Sequence, residues 1–197
     1  MTTATATSLP LPLTLAGVTV MVNDISAPLL YVSPAQINYI VPANVDPGTA
    51  LVKVMNGANA VANGTVPVES VSPSIFTMTA SGKGVPAAQT TLDGVSFQAV
   101  GNADGSARAL TVGTASKPNY LVLYGTGLRR RSSLTNVRVT IGGVQSEVTF
   151  LGAHSRLAGL DQMNIKLPQE LRGRGNVDVI VTIDGRTANT VNISVGT

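Results

Sequence analysis

The chain has 197 residues, 44% of them hydrophobic and only 12% charged, with a formal net charge of +3. A chain this long and this apolar buries a core, which excludes global disorder. It contains no cysteine, which excludes disulfides, thiolate metal sites and a cysteine nucleophile. Charge is spread unevenly. Residues 1–80 hold one Lys and three acids (−2), residues 81–118 three bases and two acids (+1), and residues 119–197 nine bases and five acids (+4). This asymmetry is far short of a nucleic-acid-binding signature. No apolar run is long enough to span a membrane as a helix. The N-terminal MTTATATSLPLPLTLAG lacks a basic stretch and is broken by Pro10 and Pro12, so it is not a signal peptide. The expectation is an internal piece of a longer protein, or export signals that lie upstream.

Residues 1–9 read as loose. Leu9 to Leu13 is extended, because each Pro pushes its predecessor towards β or polyproline geometry. Val18, Val20 and Val22 alternate with Thr19 and Met21, the pattern of a half-buried strand. Asn23-Asp24 supplies hairpin-turn chemistry. Strands follow at Leu29 to Val32, Gln36 to Val41, Leu51 to Met55 and Val61 to Val68. Between them lie Ser33-Pro34, Pro42, Asp46-Pro47-Gly48 and Asn56-Gly57, with Asn63-Gly64 read as a bulge or turn. In residues 74–118, Val95 to Val100 and Arg108 to Val112 read as strands around turns at Asp93-Gly94 and Asp104-Gly105. Tyr120 to Leu128 opens a further run of strands, at Val137 to Ile141, Val148 to Leu151, Gln162 to Leu167, Val177 to Ile183 and Val191 to Val195. No window keeps a helical period; only Pro168 to Leu171 suits a single turn.

Much of the chain is one unit written twice. Val18 to Pro34 aligns with Val137 to Ala153 without a gap. Seven extra residues, 154–160, then intervene, and Gln36 to Pro42 rejoins Gln162 to Pro168. Short strands at regular spacing with Gly/Pro turns predict an all-β protein of two tandem β-sandwiches. The divisions fall at 1–73, 74–118 (a β-hairpin-containing connector) and 119–197. The second unit begins with the strand YLVLYGTGL. The first has no equivalent before Val18, which predicts an open sheet edge there, covered by the connector or by a second chain.

Candidate chemistry is sparse. His154 is the only histidine. With Asp161 and Glu147, and Ser155 beside it, it is the candidate acid/base residue of a small ester or glycan hydrolase. The competing reading is a polar residue of an inserted surface loop, since one His without a second His or Cys does not make the usual zinc site and no G-x-S-x-G elbow occurs. Arg129, Arg130 and Arg131 form the one dense charge run, suited to phosphate or an acidic polysaccharide, or simply a solubilising loop. Gly125-Thr126-Gly127 lacks the Lys-Ser/Thr of a phosphate loop and reads as a strand bulge or turn. No cofactor and no metal are expected; the turn aspartates lack a calcium-loop pattern.

The strings APLLYVSPAQINYIVP, SPSIFT, YGTGLRRRSSL, VRVTIGG, GLDQMNIKLP and DGRTANTVNISV resemble the uncharacterised C-terminal domain carried by many secreted proteins of Solibacter and other acidobacteria. YLVLYGTGL followed by a strand ending in IGG resembles the opening of an IPT/TIG-type immunoglobulin-like domain. The resemblance runs from about Leu9 to Val195. It implies an immunoglobulin-like fold and an extracellular or cell-surface setting, and it implies no reaction. The expected function is therefore a non-catalytic binding, spacer or assembly module of a larger exported protein. Its partner is a protein or cell surface, or a second copy met through a sheet edge. The alternatives are the His154 hydrolase and a carbohydrate-binding module, the latter weakened by the absence of Trp.

Overall fold

The computed structural model describes residues 2–197, and it is nearly all β. Among the described residues the only helical pieces are the 3-10 turns Leu134–Asn136 and Gln169–Leu171. No helix among the described residues is long and apolar enough to cross a membrane. The chain falls into two compact units, Met1–Ser70 and Val71–Thr197.

Among its described residues the first unit holds seven strands: β1 (Ala4–Thr5), β2 (Val18–Val22), β3 (Ile25–Ser26), β4 (Leu29–Val32), β5 (Ile37–Tyr39), β6 (Gly48–Asn56) and β7 (Asn59–Val68). They form two sheets, ordered β1-β4-β5 and β3-β2-β6-β7. Strand side chains alternate between faces, so Val18, Val20 and Val22 are all buried while Thr19 and Met21 are not. Leu29 and Val32 from the other sheet, with Ala27, Val45 and Ala50, complete a small shared core. The β2–β3 turn sets Asn23 and Asp24 at φ 48° and 62°, as a two-residue hairpin of this hand requires. Ser33 closes the β4–β5 turn by accepting the amides of Ala35 and Gln36.

The second unit adds β8 (Ser74–Ile75), β9 (Ala88–Thr91), β10 (Gln98–Ala99), β11 (Ala109–Leu110), β12 (Tyr120–Thr126), β13 (Val137–Ile141), β14 (Val144–Ser146), β15 (Val148–Ala153), β16 (Asp161–Lys166), β17 (Gly175–Ile183), β18 (Arg186–Thr187) and β19 (Val191–Val195). One sheet runs β10-β9-β12-β16-β15, with β8 also on β12; the other runs β11-β19-β17-β13-β14, with β18 on β17. The repeat read from sequence is visible strand by strand. β2 to β6 recur as β13 to β17 with the same pairing. β12 is flanked on both sides, so Leu121, Val122 and Leu123 are buried in succession. Residues 74–118, read from sequence as a connector, supply β8 to β11 to these sheets. Ile75, Ala88, Val100, Leu110 and Val112 belong to the second unit's core.

Four local expectations are corrected. Residues 4–5 are not loose; they pair with β4, and Ala6 continues the contact by donating to Leu30. The strand expected at Val95 to Val100 shrinks to Gln98–Ala99, because the Asp93 carboxylate accepts the amides of Val95 and Ser96 and curls them into a turn. Asn63-Gly64 is neither bulge nor turn but lies inside β7. The bulge falls earlier, where Val54 faces Ala62 and Met55 faces Ala60, leaving Val61 unpaired. The open edge is not beside Val18, since β2 lies between β3 and β6 and Val18 also bridges to Leu15; the outermost strands are β1, β3, β5 and β7, and of these β5 and β7 are the ones whose counterparts in the second unit, β16 and β19, are covered.

Gly127 sits at φ 70°, and a Cβ there would collide with the Ser72 carbonyl; Gly143, at φ 80°, has open space. Gly143→Ala should therefore cost only the left-handed penalty, about 1–2 kcal/mol. Gly127→Ala adds a backbone collision and should exceed about 3 kcal/mol, as read by denaturant unfolding. The amides of Ser96 and Val95 hold the Asp93 carboxyl at about 2, below its ordinary 3.8. Because the folded value is depressed, the stability it lends is complete above the ordinary value and is lost as pH falls through about 2. Carboxyl chemical shifts of Asp93 should titrate there, and Thr91→Val should leave that midpoint low because the backbone amides dominate.

Candidate functional site

His154 opens the seven-residue insertion after β15. Its Nδ1 accepts the amides of Arg156 and Leu157, both at 3.1 Å, and its own amide donates to Leu160. The ring thus caps the loop it begins. With Nδ1 an acceptor, the neutral ring carries its proton on Nε2. The imidazole stands edge-on to Tyr124, with centroids 5.8 Å apart. Tyr124 donates its hydroxyl proton to Gln89 Oε1 at 2.8 Å, and burial raises its pKa. Phe76, Met78, Leu157 and Leu160 join these three around a shallow cleft of about 530 Å³. The apolar lining was not read from sequence. Its signal was slight: Phe76, Met78 and Leu157 are 40–57% exposed, but nothing in SPSIFTM distinguishes them from core residues.

Asp161 is nearby in sequence but engaged elsewhere. It is 1% exposed. Oδ2 accepts the Leu128 amide at 2.8 Å, and Oδ1 pairs with Arg129 Nε, while another Arg129 nitrogen donates to the Leu160 carbonyl. Glu147 lies 3.7 Å from Lys166. No hydroxyl, Ser155 included, is hydrogen-bonded to His154 among the described residues, so the candidate acid/base set is not drawn into one constellation. The described residues contain no group of three or more His, Cys, Asp or Glu positioned to hold a metal.

The arginine run is also divided. Arg129 turns inward to Asp161. Arg131 is half-buried, with Nε lacking a hydrogen-bond partner. Arg130 is exposed. The loop is tied down by Asp184, which accepts the Ser132 amide and hydroxyl at 2.8 and 2.6 Å. Those bonds, with the Arg131 charge, hold the Asp184 carboxyl below its usual range.

The strongest contrast between the two units is at their sheet edges. In the second unit, β16 is covered by β12, and beyond it by β9 and β10. β19 is covered by β11, and the Asn192 amide reaches the Gly84 carbonyl. Asn189, between β18 and β19, adds a bracket: its amide group bonds the Ile75 amide and carbonyl and the Gly82 carbonyl at 2.8–3.0 Å. In the first unit, β5 pairs only with β4 and β7 only with β6 among the described residues. A side-chain pair preserved between the copies registers the difference. Gln36 donates to Asn38 at 2.6 Å in the open, while Gln162 donates to Asn164 at 2.8 Å partly buried.

No family model, no curated protein and no solved structure matches the chain. Asp161→Ala strips an acceptor from the Leu128 amide and leaves Arg129, which is partly exposed, to re-solvate. It should cost about 2–3 kcal/mol. Arg130→Ala should stay within about 0.5 kcal/mol, both measured by chemical denaturation.

Proposed function

We propose that this chain is a non-catalytic binding, spacer or assembly module of a larger exported bacterial protein, made of two immunoglobulin-like units. In this reading the second unit is the finished copy and the first is the acceptor. The observation that carries it is the pair of uncovered edges on β5 and β7, at positions where the second unit is closed by its own residues 71–126. An open edge presents a row of N–H and C=O groups that another strand can pair with. The setting is extracellular or at the cell surface, on the resemblance of APLLYVSPAQINYIVP and its companion strings. Against the hydrolase reading stand the engagements of His154 Nδ1 with its loop, Asp161 with Arg129 and Glu147 with Lys166.

The repeat supplies the probe. In the second unit Tyr120 to Gly125 pairs antiparallel with Lys166 to Asp161. Transferred through the alignment, a peptide of sequence YLVLYGTGL should pair with Ile40 back to Ala35. In hydrogen exchange on the full chain, amides of 35–41 should exchange much faster than those of 161–167. They should slow at least tenfold when the peptide is added in excess. A lack of added protection at saturating peptide would remove the support for strand acceptance.

A further inference from the structure

We infer that the β7 edge is a homodimer contact, in which Asn63 and Thr65 pair antiparallel with Thr65 and Asn63 of a second copy about a twofold axis at Gly64. This rests on the strand-acceptor reading and names the occupant of one of its two edges.

The backbone row that faces outward is fixed by its neighbours. Leu51 donates to Asn23 Oδ1 and accepts from the Asn23 amide, so both of its backbone groups turn away from β7. Leu51 is opposite Thr65, whose N–H and C=O therefore face the open side. Asn63 and Pro67 belong to the same row by the strand period. The second unit uses the matching row. The Asn192 amide donates to Gly84, Ser194 faces Ala109, and the Gly196 amide donates to Leu110. The first unit has ten residues of strand at this place, with Asn59 to Thr65 all exposed, and its row is unused.

The occupant is argued from charge and shape. No residue from Val54 to Val68 is charged, so two copies of this edge meet without repulsion; the lysines that usually blunt such an edge are missing. The sequence about Gly64 is balanced, small-polar-Gly-polar-apolar, as an isologous contact requires. Gly64 itself has no task within the chain. Its φ is not left-handed and a Cβ there would meet nothing within 4 Å. A glycine inside a strand weakens it and often marks the close approach of another backbone. On a twofold at Gly64 the two Cα atoms form a non-hydrogen-bonded pair about 4.5 Å apart, with about four ladder bonds from Asn63 and Thr65 on either side.

The register gives a charge test. Sedimentation equilibrium on the full chain should show a species of twice 20.1 kDa as concentration rises. Asn63 and Thr65 are exposed, and because Asn63 is opposite Lys53, the cost of a lysine at 63 within the chain is common to both double variants below and cancels between them. N63K/T65K sets Lys against Lys twice and should weaken the dimer at least tenfold; N63K/T65E sets Lys against Glu and should restore it. Because the chain has no cysteine, Gly64→Cys provides a covalent check, since such a pair lies within disulfide reach. Mild oxidation should link G64C much faster than S116C, which is exposed on a loop. A chain that stays monomeric at every concentration, with G64C no faster than S116C, overturns the inference. So does a dimer indifferent to N63K/T65K. If the YLVLYGTGL peptide still protects residues 35–41, strand acceptance at β5 survives that failure; if neither association occurs, both readings fall.

Discussion

Every backbone N–H and C=O in a sheet needs a partner, and at the outermost strand that partner has to come from somewhere other than the sheet. This requirement shapes the second unit. Residues 71–118 have little regular structure of their own, yet each short strand among them lies against a longer one: β8 and β9 on β12, β10 on β9, β11 on β19. The approach is close enough to dictate composition. Gly125 and Gly127 are glycine because the carbonyls of Ser74 and Ser72 occupy the space where side chains would begin. The GTG string is thus a consequence of edge closure. Asn189 serves the same end with a side chain, answering backbone groups that no strand reaches.

The first unit follows the same plan with less material. Its core is a small set of Val, Ala and Leu side chains. Its β2–β3 turn is fastened by polar side chains where the matching β13–β14 turn has Gly142-Gly143: Asn23 stitches the hairpin to Leu51, and Asp24 reaches Lys53 at 2.7 Å. A surface ion pair of that kind contributes little on its own. Its value is local, since it orients a turn whose residues sit at positive φ.

Strand positions were largely legible because Val, Ile and Leu recur at period two and Gly, Asn, Asp and Pro punctuate them. Val18 to Val22 and Val137 to Ile141 coincide with their elements to the residue. What was not legible came from interactions distant in sequence or specific to one side chain. Val95-Ser96 has strand propensity, but Asp93 takes its amides. The string AAQTTL carries no alternation to announce β9, and only the neighbouring β12 makes a strand of Ala88–Thr91. Asp161 looked like chemistry because it stood near the lone histidine. Burial beside Arg129 and Leu128 gives it a structural task, and neither partner could be inferred from spacing. The uncharged stretch from Val54 to Val68 was present in the sequence throughout. It became informative only when β7 was seen to be outermost.

The Asn189 bracket also orders events in time. It joins residues separated by 114 positions, and β11 waits for β19 in the same way. Contacts of such long range slow folding, because the intervening chain has to be closed before they form. On a ribosome, the first unit has all its strands once residue 68 has emerged, whereas the second cannot seal until β19, Val191–Val195, has emerged as well. Nascent chains on one messenger would therefore display finished first units, edges open, beside second halves still unfolded. A strand able to pair with those edges would meet them first at that stage.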